Sequence, residues 1–198
     1  MSPQDARATL LSRTVQVIAD EGLDKTTTKA IVAGTGINEA YIYRYFSDKE
    51  DLLAKAFDML DCSMVATVLQ HLPVMSRTEL DYETRCRALF FPIWRFMLAA
   101  PNECLAYMRY YYSPYFLKSS FDAHKQRYTP VIDKMRPAFK EDADVWMILN
   151  HILSIMLSFA VRVHNGHMSA EDDYSEHVFR VIYASVKQYF KTSKESEA

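Results

Sequence analysis

The sequence predicts an all-α protein, and three observations support this class. Glycine is scarce, at 4 of 198 residues, whereas a sheet-rich fold needs more glycine for its tight turns. Apolar residues recur at the spacing of one helical face, as in Leu11, Val15 and Ile18. No run of alternating apolar and polar residues between turn residues predicts a strand. We expect about nine helices in total.

The first two helices are predicted from their end signals. Apolar periodicity runs over residues 5–21, and Gly22 then supplies the left-handed residue that ends a helix. Thr27 is a suitable N-cap for a short second helix. Gly36 follows at a position where a turn requires positive φ. These signals predict two helices joined to a third by a tight turn.

The third and fourth helices follow directly. Asn38 is a good N-cap for a third helix over residues 39–45. Ser47 and Glu50 have the spacing of a capping box, with Ser47 at the N-cap and Glu50 at the third helical position. They are expected to open a long fourth helix over about residues 48–71.

Prolines divide the rest of the chain. Pro101 and Pro114 suit the first position of a helix, where no backbone N–H is needed. Pro92 lies inside the helix predicted over residues 77–99 and should kink it or remove one hydrogen bond. Two further prolines are expected to interrupt the helical segment after Pro114: Pro130 and Pro137.

The last two helices are predicted over residues 142–163 and from a cap at Ser169 to about Phe190. The first of them is apolar on all sides, so it must be covered on all sides. It contains Asn150 and His151, which favours a buried helix over a membrane span. In a protein this small, a second subunit is the natural cover.

Charge and cysteine content exclude several classes of protein. The formal net charge is −2, so no broad positive field attracts nucleic acid, and DNA binding would depend on a few well-placed groups. The three cysteines, Cys62, Cys86 and Cys104, lack the spacing of a disulfide framework or a zinc site. We expect buried thiols in a reducing cytoplasm. The first five residues lack the features of a signal peptide, which agrees with that location.

The strongest motif is a helix-turn-helix in the first quarter of the chain. It reads Thr27-x-x-x-Ile31, then Gly36-Ile37-Asn38-x-x-x-Ile42-Tyr43-Arg44-Tyr45-Phe46-x-x-Lys49-Glu50-x-Leu52-Leu53. This string closely resembles the signature of the tetracycline-repressor (TetR) family, and the resemblance covers about Arg7 to Phe57.

The resemblance implies a repressor that binds a near-palindromic operator on double-stranded DNA as a homodimer and is released by a small aromatic or apolar effector. It implies a DNA-binding domain over residues 1–50 and a helical ligand-binding and dimerisation domain over residues 51–198, joined through the fourth helix. No cofactor, metal or membrane is expected.

The residues expected to contact DNA lie around the third helix, whose N-terminal part would meet base edges in the major groove. Arg44 either pairs with guanine or holds a phosphate. Lys49 adds charge at the start of the fourth helix, where free backbone amides favour an anion. Glu39 reads a cytosine amino group, pairs with Arg44 or points away, and the sequence leaves these three options open. The full set is Thr27, Thr28, Asn38, Glu39, Ala40, Tyr41, Tyr43, Arg44, Tyr45 and Lys49.

A ligand pocket is predicted from the density of aromatic residues over residues 90–116. Aromatic side chains with polar tips beside methionines suit a flat or apolar ligand, although ordinary core packing produces the same pattern. The candidates are Phe90, Trp94, Met97, Tyr107, Met108, Tyr111, Trp146, Asn150 and His151.

The dimer interface implied by the resemblance is formed by the last two helices. The penultimate helix contributes its apolar surface, and the last helix contributes an apolar stripe. The candidates are Ile152, Ile155, Phe159, Val178, Ile182, Val186 and Tyr189.

Two alternatives from other classes stay open. A helical enzyme would need a nucleophile or a metal set, but the six histidines are scattered without such spacing, so no catalytic residue is assigned. A ligand-independent regulator or an activator shares the N-terminal motif, and only operator binding with and without ligands separates it from a ligand-released repressor.

Overall fold

The computed structural model describes the backbone of residues 3–191. Met1, Ser2 and residues 192–198 lie outside it, so the prediction that the first five residues do not form a signal peptide lies partly outside the described residues. The described residues form ten α-helices and a few short 3-10 turns, and their nearest approach to a sheet is one isolated bridge between Phe139 and Phe190. The all-α prediction is confirmed. The helices are α1 (Pro3–Glu21), α2 (Thr28–Val32), α3 (Ile42–Tyr45), α4 (Lys49–His71), α5 (Tyr82–Leu98), α6 (Pro101–Tyr111), α7 (Pro114–Ser119), α8 (Phe121–Met135), α9 (Val145–His164) and α10 (Asp172–Val186).

The chain divides into two compact units. The first contains the residues up to Met64 together with Asn102–Gln126, and the second contains Val65–Pro101 together with the residues from Arg127 onward. Both α4 and α8 therefore contribute residues to both units. The boundary predicted near residue 50 concerns the DNA-binding function and stays a prediction.

The first unit has an apolar core formed by residues of its longer helices and of the helix-turn-helix. Gly22 has φ +86° at the end of α1, as predicted. Arg109 of α6 donates to the carbonyls of Ile18 and Ala19 at 2.6 and 2.9 Å. The Ile18 carbonyl also accepts the N–H of Gly22 at 3.0 Å, so the basic side chain adds a further donor to the carbonyls in the last turn of α1. Side chains with no exposed surface include Leu10, Ile31, Ile42, Leu52 and Leu53.

The second unit has α5, α9 and α10 packed against one another. The indole N–H of Trp94 donates to the hydroxyl of Ser175 at 2.8 Å, which satisfies a polar group in the core. Arg85 is buried, donates to the carbonyl of Met75 at 2.9 Å and lies 4.0 Å from the centroid of the Tyr82 ring. These contacts hold the 3-10 turn after α4 against the start of α5.

The start of α4 corrects one predicted cap. The helix begins at Lys49, and the carboxylate of Asp48, not the hydroxyl of Ser47, accepts the backbone N–H of Asp51 at 2.7 Å. The carboxylate of Asp51 in turn accepts the backbone N–H of Ser47 at 3.0 Å. The capping box is therefore shifted by one residue, because a carboxylate makes the stronger, charge-assisted bond to backbone N–H.

Other boundaries also differ from the sequence predictions, and among them α10 has its N-cap at Glu171 instead of Ser169. The fifth helix begins at Tyr82, because Asp81 caps it by accepting the N–H of Thr84 at 2.8 Å. Pro130 lies inside α8 and does not end it. The last helix ends at Val186 and continues as a 3-10 turn, after which Phe190 pairs with Phe139.

The apolar helix α9 is long and apolar enough to cross a membrane by length and composition alone. In this fold one face of it packs inside the second unit, including Leu149, Leu153 and Met156, and Met147 on another face is 56% exposed. The chain itself therefore covers α9 on one side.

Candidate nucleic-acid interface and apolar cavity

Residues 27–49, which we call the reading head, carry the predicted helix-turn-helix. The hydroxyl of Thr27 accepts the N–H of Ala30 at 3.1 Å, and the side chain of Asn38 accepts the N–H of Ala40 at 2.9 Å. Gly36 has φ +70° between the two caps. Both predicted caps and the predicted left-handed glycine are confirmed, and they fix the angle at which the chain enters α3.

The third helix is shorter than predicted. Residues 39–41 form a 3-10 turn, and only the next four residues form α3. Ile42 and Phe46 are buried, whereas Tyr41 and Tyr43 are 46% and 59% exposed. Since Glu39, Ala40 and Arg44 are exposed too, the outward side of this segment matches the side predicted to face DNA.

Two contacts organise the polar side chains of the reading head. The guanidinium of Arg44 lies 5.9 Å from the centroid of the Tyr41 ring, within cation–π range. The carboxylate of Glu39 accepts a hydrogen bond from the hydroxyl of Thr28. No ion pair joins Glu39 to Arg44 in the part of the chain that the structure describes. Of the three options for Glu39, pairing with Arg44 is therefore not the one adopted.

The anion site expected at the start of α4 is partly occupied by the chain itself. The backbone N–H groups of Ser47 and Asp51 already donate to the carboxylates of Asp51 and Asp48. Lys49 and Tyr45 are half-buried beside them. A phosphate would meet the Lys49 ammonium, but it would find two of the nearby amides already bound.

An apolar cavity of about 70 Å³ lies in the second unit. Its lining is drawn from α4, α5, α8, α9, α10 and the flanking segments, and includes Val68, Phe90, Met135, Met156 and Phe190. Of the nine predicted pocket residues, Phe90 lines it. We call this space the apolar cavity.

Five other predicted pocket residues belong to the second unit without lining the cavity: Trp94, Met97, Trp146, Asn150 and His151. Trp94 and Met97 are core residues. The amide of Asn150 donates to the carbonyl of Trp146 at 2.9 Å, and the exposed His151 lies 3.0 Å from the hydroxyl of Ser185. Their polar groups are engaged in these local bonds.

The remaining pocket candidates, Tyr107, Met108 and Tyr111, belong to the first unit. The hydroxyl of Tyr107 donates to Asp61 at 3.1 Å, and Nδ1 of His124 lies 3.0 Å from both carboxylate oxygens of Asp61. Asp61, His124 and Tyr107 are buried, and Tyr111 packs edge-on against the imidazole. Burial raises the pKa of the Tyr111 phenol. Tyr107 and Tyr111 of α6 thus contact a buried polar cluster that also contains Asp61 of α4 and His124 of α8.

The predicted dimer residues fall into two groups. Val178, Ile182 and Val186 are only 2–4% exposed, because this stripe of α10 packs into the core of its own unit. Ile152, Ile182 and Val186 also line the cavity. The core of its own unit therefore already covers the α10 stripe, and the assignment of that stripe to a partner stays a prediction. Half-buried candidates with surface to offer are Ile155, Phe159 and Tyr189.

The exposure of the cysteines differs from the prediction at one position. Cys62 is exposed, although all three cysteines were expected to be buried. Burial raises the pKa of both Cys86 and Cys104 to about 12. Within residues 3–191, no three His, Cys, Asp or Glu side chains form a group that could hold a metal ion.

Comparison with known proteins gives a family match for the N-terminal quarter of the chain and a fold likeness for nearly all of it. Residues 10–56 match the family model described as bacterial regulatory proteins, tetR family. No curated protein matches the sequence at a significant level.

Similar solved structures cover nearly the whole chain. A TetR family transcription regulator from Marinobacter aquaeolei VT8 has a TM-score of 0.77 at 18% identity, covering 97% of this chain and 100% of its own. The fatty acid degradation regulator FadR from Bacillus halodurans has a TM-score of 0.66 at 18% identity, and the match covers 88% of this chain and 96% of that protein. A transcriptional regulator from Saccharomonospora viridis in complex with choline has a TM-score of 0.58 at 16% identity, and the match covers 96% of this chain and 100% of that protein. At these identities the likeness concerns the fold.

Proposed function

We propose that the protein is a cytoplasmic repressor, because residues 10–56 match the family model described as bacterial regulatory proteins, tetR family. It binds a near-palindromic operator as a homodimer and leaves the operator when a small molecule binds. The observation that carries this proposal is the reading head, in which Arg44, Tyr41 and Tyr43 stand outward above the buried Ile42 and Phe46.

The geometry of the reading head suits contact with the major groove. A short recognition element presents its N-terminal residues to base edges, and caps hold it at a defined angle. Stacking against Tyr41 restricts the Arg44 side chain before it meets a guanine, which reduces the entropy lost on binding. The hydroxyls of Thr27 and Tyr43 are exposed and suited to phosphates, which position the protein without reading sequence.

Homodimerisation is supported by the outer sides of α9 and α10. Met147 and Val181 are more than half exposed, and Ile155 and Phe159 are half-buried. Apolar side chains grouped on one surface mark an interaction site more often than they stay in water. A two-fold pairing would set two reading heads about 34–36 Å apart, one turn of DNA.

Release by a ligand requires that the ligand bind the DNA-incompetent state more tightly than the DNA-bound state. The helix α4 begins at Lys49 of the reading head and also contributes Val68 to the lining of the apolar cavity. A ligand that displaces Val68 acts on the same helix. This makes α4 the element through which we expect the ligand to shift the reading head.

The test is a mobility-shift titration on DNA selected from a random pool by the wild-type protein. Arg44→Ala should lose at least about 30-fold in affinity, because two half-sites each lose a contact of about 1 kcal/mol or more. Arg95→Ala, an exposed arginine on α5, is the matched control. Unchanged affinity of Arg44→Ala with an intact circular-dichroism spectrum would remove the reading head from the interface.

The sign of regulation needs a second measurement. A reporter promoter that carries the selected sequence should give less transcript when the wild-type protein is present and should recover with Arg44→Ala. An increase in transcript with the wild-type protein would make it an activator instead, without changing the DNA-binding assignment.

A further inference from the structure

Among the residues that the structure describes, the lining of the apolar cavity contains no charged side chain. Fifteen of the seventeen described lining residues are aliphatic, phenylalanine or methionine, and the other two are Cys86 and Tyr183. A charged ligand group transferred from water into such surroundings loses its hydration and finds no counter-ion, which costs several kcal/mol. The composition of the wall therefore selects against ions of either sign.

Four arginines are adjacent in the sequence to lining residues, and all four are committed elsewhere. Arg85 donates to the Met75 carbonyl and stacks on Tyr82. Arg87 and Arg180 pair with Glu176, and Arg136 donates to the carbonyl of Lys140. A carboxylate in the cavity would have to break one of these arrangements to obtain a guanidinium, and none of the four arginines lines the cavity.

The two polar side chains of the lining are themselves neutral. Burial raises the pKa of the Cys86 thiol to about 12 and also raises the pKa of the Tyr183 phenol. Near neutral pH both stay protonated and act as weak donors or acceptors. They can serve a hydroxyl, an ester or a ketone, but they offer no charge to an ammonium group.

The size of the cavity indicates how a ligand would enter. Its volume is about 70 Å³, whereas an engineered cavity of about 150 Å³ admits benzene. Met75, Met135 and Met156 line it, and unbranched methionine side chains repack at low cost. A ligand therefore enlarges the space by moving these methionines, which favours a narrow, flexible molecule over a rigid one.

We propose that the apolar cavity binds an uncharged, chain-like apolar molecule, such as a medium-chain alcohol, aldehyde or ester, and excludes the corresponding carboxylate and ammonium compounds. This proposal rests on the proposed ligand response and names the chemical class of the effector.

The first experiment measures binding without DNA. Octan-1-ol, octanoate and octyltrimethylammonium share a chain length and differ in charge, and each is titrated calorimetrically into the full-length protein at pH 8. Octan-1-ol should bind at least about tenfold more tightly than either ion, because only the ions are desolvated without a partner. Equal or tighter binding of octanoate or octyltrimethylammonium, or no binding of octan-1-ol, would overturn the proposal.

A second experiment locates the site. Leu89→Phe adds volume at a lining position of α5, and Leu98→Phe makes the same change on the same helix outside the lining. We expect octan-1-ol affinity to fall at least about tenfold in Leu89→Phe and to stay unchanged in Leu98→Phe, since overpacking removes the space that the ligand needs. Unchanged binding in a folded Leu89→Phe would place the alcohol elsewhere.

A third measurement uses the wild-type chain, in case Leu89→Phe does not fold. With ¹³C-labelled methionine methyl groups, octan-1-ol should shift the signals of Met75, Met135 and Met156 and leave those of the exposed Met59 and Met147 in place. Shifts confined to Met59 and Met147 would contradict the cavity assignment.

Operator release is measured separately, so that the two proposals fail in different ways. Binding of octan-1-ol with the operator complex intact would refute ligand release and keep the ligand class. Release by octanoate in both wild type and Leu89→Phe would keep the regulator and refute the cavity proposal.

Discussion

The reading head and the apolar cavity differ in how their candidate functional side chains relate to stability. In the reading head, Tyr41, Tyr43 and Arg44 are exposed, and the fold is held beneath them by Ile42 and Phe46. In the apolar cavity, the side chains that would meet a ligand are the core itself. Substitutions at the candidate DNA-contacting residues should therefore leave the chain folded, whereas substitutions in the cavity wall should alter the fit of any ligand and the stability together.

The largest expected effect comes from adjacent residues of α10. Ile182 is 4% exposed and lines the cavity, whereas Val181 is 55% exposed. Ile182→Glu should abolish the cooperative thermal transition, because an unpaired buried carboxylate costs several kcal/mol. Val181→Glu should keep the wild-type transition and weaken self-association in sedimentation. A folded Ile182→Glu with the wild-type melting temperature would show that Ile182 is not a core residue, contrary to the contrast with Val181.

The next largest effect concerns the stability of the first unit, which depends on its buried core and not on the exposed side chains of the reading head. His124→Leu removes one partner of Asp61 inside a buried cluster, and breaking a buried pair in this way costs about 3–5 kcal/mol. Urea unfolding should report that loss, while the exposed His177→Leu stays near wild type. The double variant Asp61→Leu, His124→Leu should recover part of the loss, and a single variant as stable as wild type would refute the role of the pair.

Glu39 should show the opposite behaviour, with an effect on specificity and little on stability. Held by Thr28, its carboxylate is placed to accept from a cytosine amino group. Glu39→Ala should relax selection at one base pair per half-site by about 1–3 kcal/mol and change stability by less than about 0.5 kcal/mol. Selection from random DNA checks this, with the exposed Glu21→Ala as control. An unchanged base preference would show that Glu39 points away from the bases.

The smallest effect concerns reaction rates of thiols and involves no substitution. At pH 8 a maleimide should label the exposed Cys62 first, because the raised pKa of Cys86 and Cys104, about 12 for each, leaves little thiolate. Octan-1-ol should slow the labelling of Cys86 further and leave that of Cys62 unchanged. Labelling of Cys86 as fast as Cys62 would mean that the cavity is open to water.

The sequence alone determined the features that depend on neighbouring residues. The caps at Thr27 and Asn38, the left-handed Gly22 and Gly36, and the helix starts at Pro101 and Pro114 all occur as predicted. Each depends on hydrogen bonds or backbone angles within about four residues. Two predicted caps are misplaced: Asp48 replaces the adjacent Ser47, which is equally able to cap, and the N-cap of α10 is Glu171 instead of Ser169.

Only the tertiary structure decided which surface an apolar or ionisable residue meets. The stripe Val178, Ile182 and Val186 showed that one face of α10 avoids water, but a partner subunit and the chain's own core satisfy that requirement equally well. The wall of the cavity and the pairing of Asp61 with His124 join residues far apart in the sequence. Hydrophobic burial is non-directional and scales with area removed from water, so periodicity identifies a buried face without identifying what covers it.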